Sequence, residues 1–407
     1  MKEGSSHPQS TRMIQLRPEV TGVLESPMVQ IATIAEAMPG SLKLCYGESD
    51  LPTPEFICRA GCEAITAGHT FYTHTAGTLQ LREAIAAKVH ELQGVTYRAS
   101  EVMSTVGGTL AIYVTIRALV GPGDNAVIIS PAYAIFMNSV ILMGGQARPV
   151  PLGRDGSRFC VDLDRVRAAI DERTRLLIVN SPSNPTGWVI DTDEQKALYE
   201  IAERHDLVIL SDEVYERLVF ASDVAPSFSR IVEDKDRVVV VNSFSKTYNM
   251  TGWRLGWAQT GERTIRTMYK AAEFVTSNPA AMVQQAGIVA LRDGESHVRS
   301  LREAYAARRA EVIAALASVP GVTLPEPEGA FYAFPRIDGM TDSAAFTSRL
   351  LAETGLALAP GAAFGAAGEG HVRLCFAVTP ATLGEALDRF RAFMSSPHRC
   401  ATLSPPR

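Results

Sequence analysis

In Ser243-Phe244-Ser245-Lys246 and the segment that follows, Thr247-Tyr248-Asn249-Met250-Thr251-Gly252-Trp253-Arg254-Leu255-Gly256, a reactive amine comes directly after an apolar run and a guanidinium eight residues later. An amine condenses with a carbonyl to give an imine, and a protonated imine is a far better electrophile and electron sink than the aldehyde it came from. The layout suits an aldehyde cofactor held covalently at Lys246, with its phosphate clamped by Ser243 and Arg254. The same residues have a plainer reading, in which a solvated loop lysine follows a serine that only caps a helix. The elements around them bear on the choice.

Between about residues 100 and 260, short apolar runs alternate with helical patterns: 102–106, 126–130, 176–180, 207–211 and 238–242 are bounded by turn or charged residues. Such runs, separated by helices, predict an α/β fold with a mostly parallel sheet covered on both faces. Ligands of such sheets bind beyond the carboxyl ends of the strands. Just past those ends stand Tyr133, Asn184, Asp212 with Tyr215, and Ser243 with Lys246. One crevice would therefore collect an aromatic ring, an amide, a carboxylate, a phenol and an amine. Residues 294–319 carry Leu301, Tyr305, Val312, Ile313 and Leu316 at helical spacing and predict a long amphipathic helix. Beyond it, strands over 331–337 and 371–378 and a helix over 382–394 make a smaller α+β unit. The first sixty residues, with Pro18, Pro27, Pro39, Pro52 and Pro54, read as an arm and linker.

Each further candidate has a chemical and a structural reading. Gly107-Gly108-Thr109 sits where a strand turns into the helical pattern of 110–120, so its backbone amides could approach a phosphate at a helix N-terminus, or it could be an ordinary turn. Asp212 ends an apolar run; burial would raise its pKa unless a cation such as a protonated pyridine accompanies it, and the alternative is a solvated helix cap. Tyr215 and Asn184, the latter in Asn184-Pro185-Thr186-Gly187, could donate to one phenolate oxygen, or be a core tyrosine and a turn residue. Tyr133 is a stacking partner or a core aromatic. Arg373, within an otherwise mostly apolar strand, matches a planar carboxylate in bidentate fashion or an internal salt bridge.

Composition narrows the field. The 407 residues are 46% hydrophobic and 20% charged, as in ordinary globular proteins of two or three domains. A net charge of -5, with no dense Lys/Arg run, disfavours nucleic acid. Residues 1–17 are polar and no apolar run is long enough to cross a bilayer, so no membrane partner and a cytoplasmic location are expected. Cys45, Cys58, Cys62, Cys160, Cys375 and Cys400 include no CxxC pair, and reduced thiols without a metal site are expected.

Taken together these residues resemble the fold type I pyridoxal-phosphate enzymes, specifically the class I/II aminotransferase family related to aspartate and aromatic aminotransferases. The resemblance covers residues 47–373, with the SFSK, NPTG, SDEVY and GWRLG segments in the expected order. It implies a mostly parallel seven-stranded sheet in a large domain (61–298), a smaller α+β domain (299–407), and an arm that contributes part of the small domain (1–60). It also implies that Lys246 forms a Schiff base with pyridoxal 5'-phosphate and shuttles a proton between the substrate Cα and the cofactor C4′. Asp212 would pair with the pyridine nitrogen, Tyr215 and Asn184 with the ring oxygen, and Tyr133 would stack on the ring. Gly108, Thr109, Ser243 and Arg254 would hold the phosphate. Tyr72 resembles the tyrosine that reaches the phosphate of a neighbouring subunit, which implies a homodimer. Arg373 would bind the substrate α-carboxylate, with Gly47 lining that end of the site.

One position departs from the pattern. Dicarboxylate-specific members place an arginine five residues before the Asn-Pro that corresponds to Asn278-Pro279, and Glu273 stands there. A glutamate repels an acidic side chain, so simple aspartate specificity is disfavoured and a basic or polar preference is the expectation. The leading function is ping-pong transamination between an L-amino acid and a 2-oxo acid. The alternative is elimination, cyclisation or oxidation on the same scaffold, since the remaining pocket selects which bond breaks. An effector-sensing regulator is a third possibility. It is disfavoured by an intact Lys246 and by the short arm ahead of Gly47.

Overall fold

A computed structural model of the protein describes residues 16–23, 26–156 and 158–396. Residues 1–15 of the expected arm, and Cys400, lie outside them. Among the described residues the five apolar runs become strands β1 (Val102–Thr105), β2 (Asn125–Ser130), β4 (Thr174–Asn180), β5 (Val208–Asp212) and β6 (Val238–Ser243), and two strands that the runs did not mark, β3 (Gln146–Pro151) and β7 (Gly256–Gln259), join them. They form one seven-stranded sheet in the order β1-β7-β6-β5-β4-β2-β3. Only β7 runs antiparallel to its neighbours. The expected α/β fold with a mostly parallel seven-stranded sheet is the observed one.

Side-chain alternation explains why this sheet is sandwiched. Ala126, Ile128, Leu176, Ile178, Leu210, Val239 and Val241 pack into one core. The intervening Val127, Ile129, Leu177, Val179, Ile209, Val238 and Val240 pack into another. Successive residues point to opposite faces, so strands apolar at every position must be covered on both. Polar chemistry is pushed to the strand ends. There the register sets Asn180 of β4 opposite Asp212 of β5.

The remaining elements form a second core built around helices Glu295–Ala317, Ser343–Thr354 and Pro380–Met394, with Leu301, Phe331, Tyr332, Phe346 and Phe390 among its buried side chains. The chain before residue 60 joins it, because Leu42–Lys43 pairs in parallel with Leu356–Ala357. This segment is more ordered than an arm and linker. Helix α1 (Pro27–Ala37) begins on a proline and helix Glu55–Thr66 follows Pro54. Prolines at helix starts lose nothing, since the first N–H groups have no intrahelical acceptor. The strand expected over 331–337 is two short ones, Tyr332–Ala333 and Arg336–Ile337. Pro335 between them has no N–H to donate to a ladder. The strand expected over 371–378 is Val372–Cys375. No helix among the described residues is long and apolar enough to cross a membrane.

Glu213, one residue past β5, is buried at 1% exposure and accepts from Ser211 Oγ at 2.8 Å and the Phe228 amide at 3.1 Å. Burial pushes its pKa up to about 8. A raised carboxyl value stabilises the fold fully below the unfolded value of about 4.3, and that stability is lost as pH rises through the folded value. The melting temperature is therefore expected to fall between about pH 5 and 8, and the Glu213→Gln protein to show a flatter profile by calorimetry. Identical slopes for the two proteins would refute the assignment.

Candidate functional site

The strand ends converge on a cavity of about 260 Å³. Its wall includes Gly47, Gly108, Thr109, Tyr133, Asn184, Asp212, Tyr215, Ser243, Lys246, Arg254 and Arg373. Every predicted site residue except Tyr72 is in that wall. Tyr72 is 90% exposed and stands beside Phe71, 81% exposed. Glu273, in the last turn of helix Glu262–Thr276, is exposed and outside the wall.

Lys246 is placed by a short helix, Phe244–Thr247, which starts as soon as β6 ends; Ser243 Oγ caps it by accepting from the Ser245 amide at 3.1 Å. The lysine Nζ donates to the Gly47 carbonyl at 2.6 Å. Loss of water around the amine lowers its pKa to about 8, with Arg373 and Arg254 adding repulsion and Cys375 and Glu48 opposing. Near pH 8 much of it is therefore the neutral, nucleophilic amine.

Asp212 shifts the other way. Burial raises its carboxyl to about 7, against the Val214 amide, which donates to Oδ1 at 3.2 Å, and the charge of Lys246. A buried carboxylate with so little compensation is suited to a cationic hydrogen-bond donor. Helix α2 (Gly107–Leu119) opens beside it with no side-chain cap on its first turn. Its leading N–H groups and positive dipole end are therefore available to an anion. Gly107, at φ +73°, brings the backbone against Arg254, whose Nη2 would be 2.4 Å from any Cβ there. The hydroxyls of Thr109 and Ser243 line the same part of the wall, and together these groups could hold a phosphate. A protonatable ring nitrogen at Asp212, a phosphate at α2 and an aldehyde at Lys246 are the three handles of pyridoxal phosphate, and this donor set fits it.

At the other end Arg373 is 1% exposed. Its guanidinium lies 4.6 Å from the Tyr332 ring centre and 4.9 Å from that of Phe364. Nη1 donates to Asn184 Oδ1 at 2.9 Å and Nη2 to the Cys45 carbonyl, while Nε is buried without a partner among the described residues. Among the described residues no carboxylate partners it, so they show no internal salt bridge at Arg373. Asn184 Oδ1 faces Arg373, which leaves the amide Nδ2 as a donor. Tyr215 Oη and Tyr332 Oη are 2.7 Å apart.

The cavity wall also contains residues that the sequence reading passed over: Met28, Ile112, Asn180, Val214, Ser245 and Tyr332. Asn180 ends β4 and Ser245 precedes Lys246, so both were findable by the strand-end rule. Tyr332 arrives from the second core, and Met28 from α1, with no local signal that either faces a site.

The family model for aminotransferase class I and II matches residues 39–390. An aspartate aminotransferase of Pyrococcus horikoshii is 35% identical over 87% of this chain and 91% of its own. An aspartate/prephenate aminotransferase of Cereibacter sphaeroides is 36% identical over 97% of this chain and 99% of its own. The solved structure of a Thermus thermophilus aspartate aminotransferase variant superposes with a TM-score of 0.87 at 34% identity, covering 93% of this chain and all of that one.

The lowered lysine value has a direct consequence for the cofactor-free protein. Condensation of Lys246 with a simple aldehyde should accelerate about tenfold per pH unit below about 8 and level off above it, as the neutral amine fraction does. Reduction with borohydride and peptide mapping at a series of pH values reads this out. A rate still climbing tenfold per unit between pH 9 and 10 would mean an ordinary solvated lysine.

Proposed function

We propose a set of residue roles from one premise: this chain belongs to the aminotransferase class I and II family and is a pyridoxal-phosphate-dependent aminotransferase. The observation that carries the roles is the convergence of Lys246, Asp212 and Arg373 on one cavity. Pyridoxal phosphate, when bound, supplies the electron sink that lets an amino acid lose its Cα proton.

In our reading Arg373 grips the α-carboxylate of the substrate in bidentate fashion, which fixes the orientation of Cα. Asn184 holds the guanidinium plane from the side, and Gly47 lets the backbone of that end of the site pass against Tyr332, since a Cβ there would stand 2.7 Å from Tyr332 Oη. Lys246, once its amine is free, removes the proton from Cα, and in the reverse direction returns a proton to that atom. Its depressed pKa keeps a large neutral fraction near pH 8 for that task. Asp212 keeps the ring nitrogen protonated; Tyr215 and the Asn184 amide hold the ring oxygen; Tyr133 covers the ring face. Gly108, Thr109, Ser243 and Arg254 hold the phosphate and so fix the ring against Lys246.

We read the large domain as residues 61–298 and the small domain as 299–407 with part of 1–60, the site lying between them. We also read the working unit as a homodimer. Phe71, Tyr72 and Phe274 are 81%, 90% and 88% exposed, with Ile65 and Leu51 also open, an apolar surface suited to a second copy. In that arrangement Tyr72 completes the neighbour's phosphate cradle. Cytoplasmic residence is supported by Cys45, Cys58, Cys62, Cys160 and Cys375, all free thiols, as a reducing compartment keeps them.

Adding a single L-amino acid to the cofactor-loaded protein should bleach its visible absorption band, and a 2-oxo acid should restore it. Lys246→Ala should lower turnover by about 10²–10⁴-fold, and Arg373→Ala should cost about 10–150-fold in kcat/KM, as loss of a charged hydrogen-bonded pair does. Release of ammonia or peroxide with the band unchanged would point to elimination or oxidation instead. Mixing inactive Lys246→Ala with weakened Tyr72→Ala protein should recover activity in hybrid dimers, where one site regains both residues; no recovery would refute the shared cradle.

A further inference from the structure

The cavity wall holds three cations among the described residues, Lys246, Arg254 and Arg373. On the reading given above, which this inference rests on, each is committed: to the imine, the phosphate and the α-carboxylate. Among this chain's described residues no fourth cation lines the wall for a second carboxylate. The recess next to the wall adds no new cation either. In this adjoining recess behind Lys246, the cations are again Lys246 and Arg254, beside Glu48 and Tyr46, and Tyr46 Oη donates to the Glu36 carboxylate.

What does stand near Arg373 is apolar or aromatic. Met28, at the start of α1, places its thioether sulfur 3.5 Å from Arg373 Nη2. Tyr332 lies against the other side of the guanidinium. Tyr133 and Ile112 continue the wall. A carboxylate brought among these groups would lose water without gaining a partner, whereas an alkyl, thioether or aromatic side chain would gain contact. Met28 adds adaptability, since an unbranched thioether repacks around differing shapes.

We infer that this enzyme takes monocarboxylic substrates, L-amino acids with uncharged, mainly apolar side chains and the matching monocarboxylic 2-oxo acids, and that Met28 forms the wall against which those side chains are selected. Aspartate, glutamate and 2-oxoglutarate are poor substrates, although relatives of similar sequence are aspartate aminotransferases.

The test is the half-reaction of the cofactor-loaded enzyme, followed by its visible band, with L-alanine, L-leucine, L-methionine, L-phenylalanine, L-aspartate and L-glutamate in turn. The expected result is kcat/KM for the best neutral donor at least about a hundredfold above that for either acidic donor, the size that an unpaired buried charge commands. Aspartate or glutamate within tenfold of the best neutral donor would overturn the substrate class and leave the transamination reading standing. No bleaching with any donor would count against that underlying reading. Met28→Ala should lower kcat/KM for leucine, methionine and phenylalanine about tenfold or more and that for alanine less than about threefold, because only the larger side chains reach the wall. Equal losses across all donors would show that Met28 supports the fold of α1 and does not select side chains.

Discussion

Strands buried on both faces leave no room for polar side chains along their length. In β4, β5 and β6 the central positions are aliphatic on both faces, and polar groups are confined to the strand ends. Because these strands are parallel and in register, they stop together, and Asn180, Asp212 and Ser243 are delivered to one edge. Lys246 follows within one turn of helix. The site is thus a by-product of how a fully covered parallel sheet must end, and the glycines of Gly107-Gly108 let α2 begin close enough to share that edge.

Burial then acts on the delivered groups in opposite senses. The same loss of water that raises Asp212 to about 7 lowers Lys246 to about 8. Taken out of water, an acid is pushed toward its neutral form and a base likewise, so both groups move toward neutral pH. On the proposed roles, a cationic ring held at Asp212 would offset the cost of its buried charge. One environment thereby produces two different chemical roles.

Much of this was legible in the sequence because it follows from local pattern. Apolar runs marked five of the seven strands to within a residue or two, missing β3 and β7, and the strand-end rule located Asn184, Asp212, Tyr215, Ser243 and Lys246. Arg373 was conspicuous as a charge in an apolar strand. What escaped notice depends on tertiary placement. Met28 reaches the cavity only because α1 lies across it, and nothing in residues 26–37 says so. Tyr332 comes from a segment broken by Pro335, where an uninterrupted strand was expected. The early prolines looked like linker punctuation, yet Pro27 and Pro54 begin helices, since a proline reads alike in both contexts until the following residues are seen to pack.

The held state of Arg373 has a consequence of its own. Its guanidinium already donates to Asn184 and to the Cys45 carbonyl and lies between two rings. It is also the meeting point of chain segments from α1, the 42–47 stretch, the NPTG turn and the second core. An arriving carboxylate therefore enters by exchange: it displaces existing contacts more than it fills a vacancy. On the proposed role of Arg373, substrate recognition would then draw on the same contacts that seat the two cores against each other.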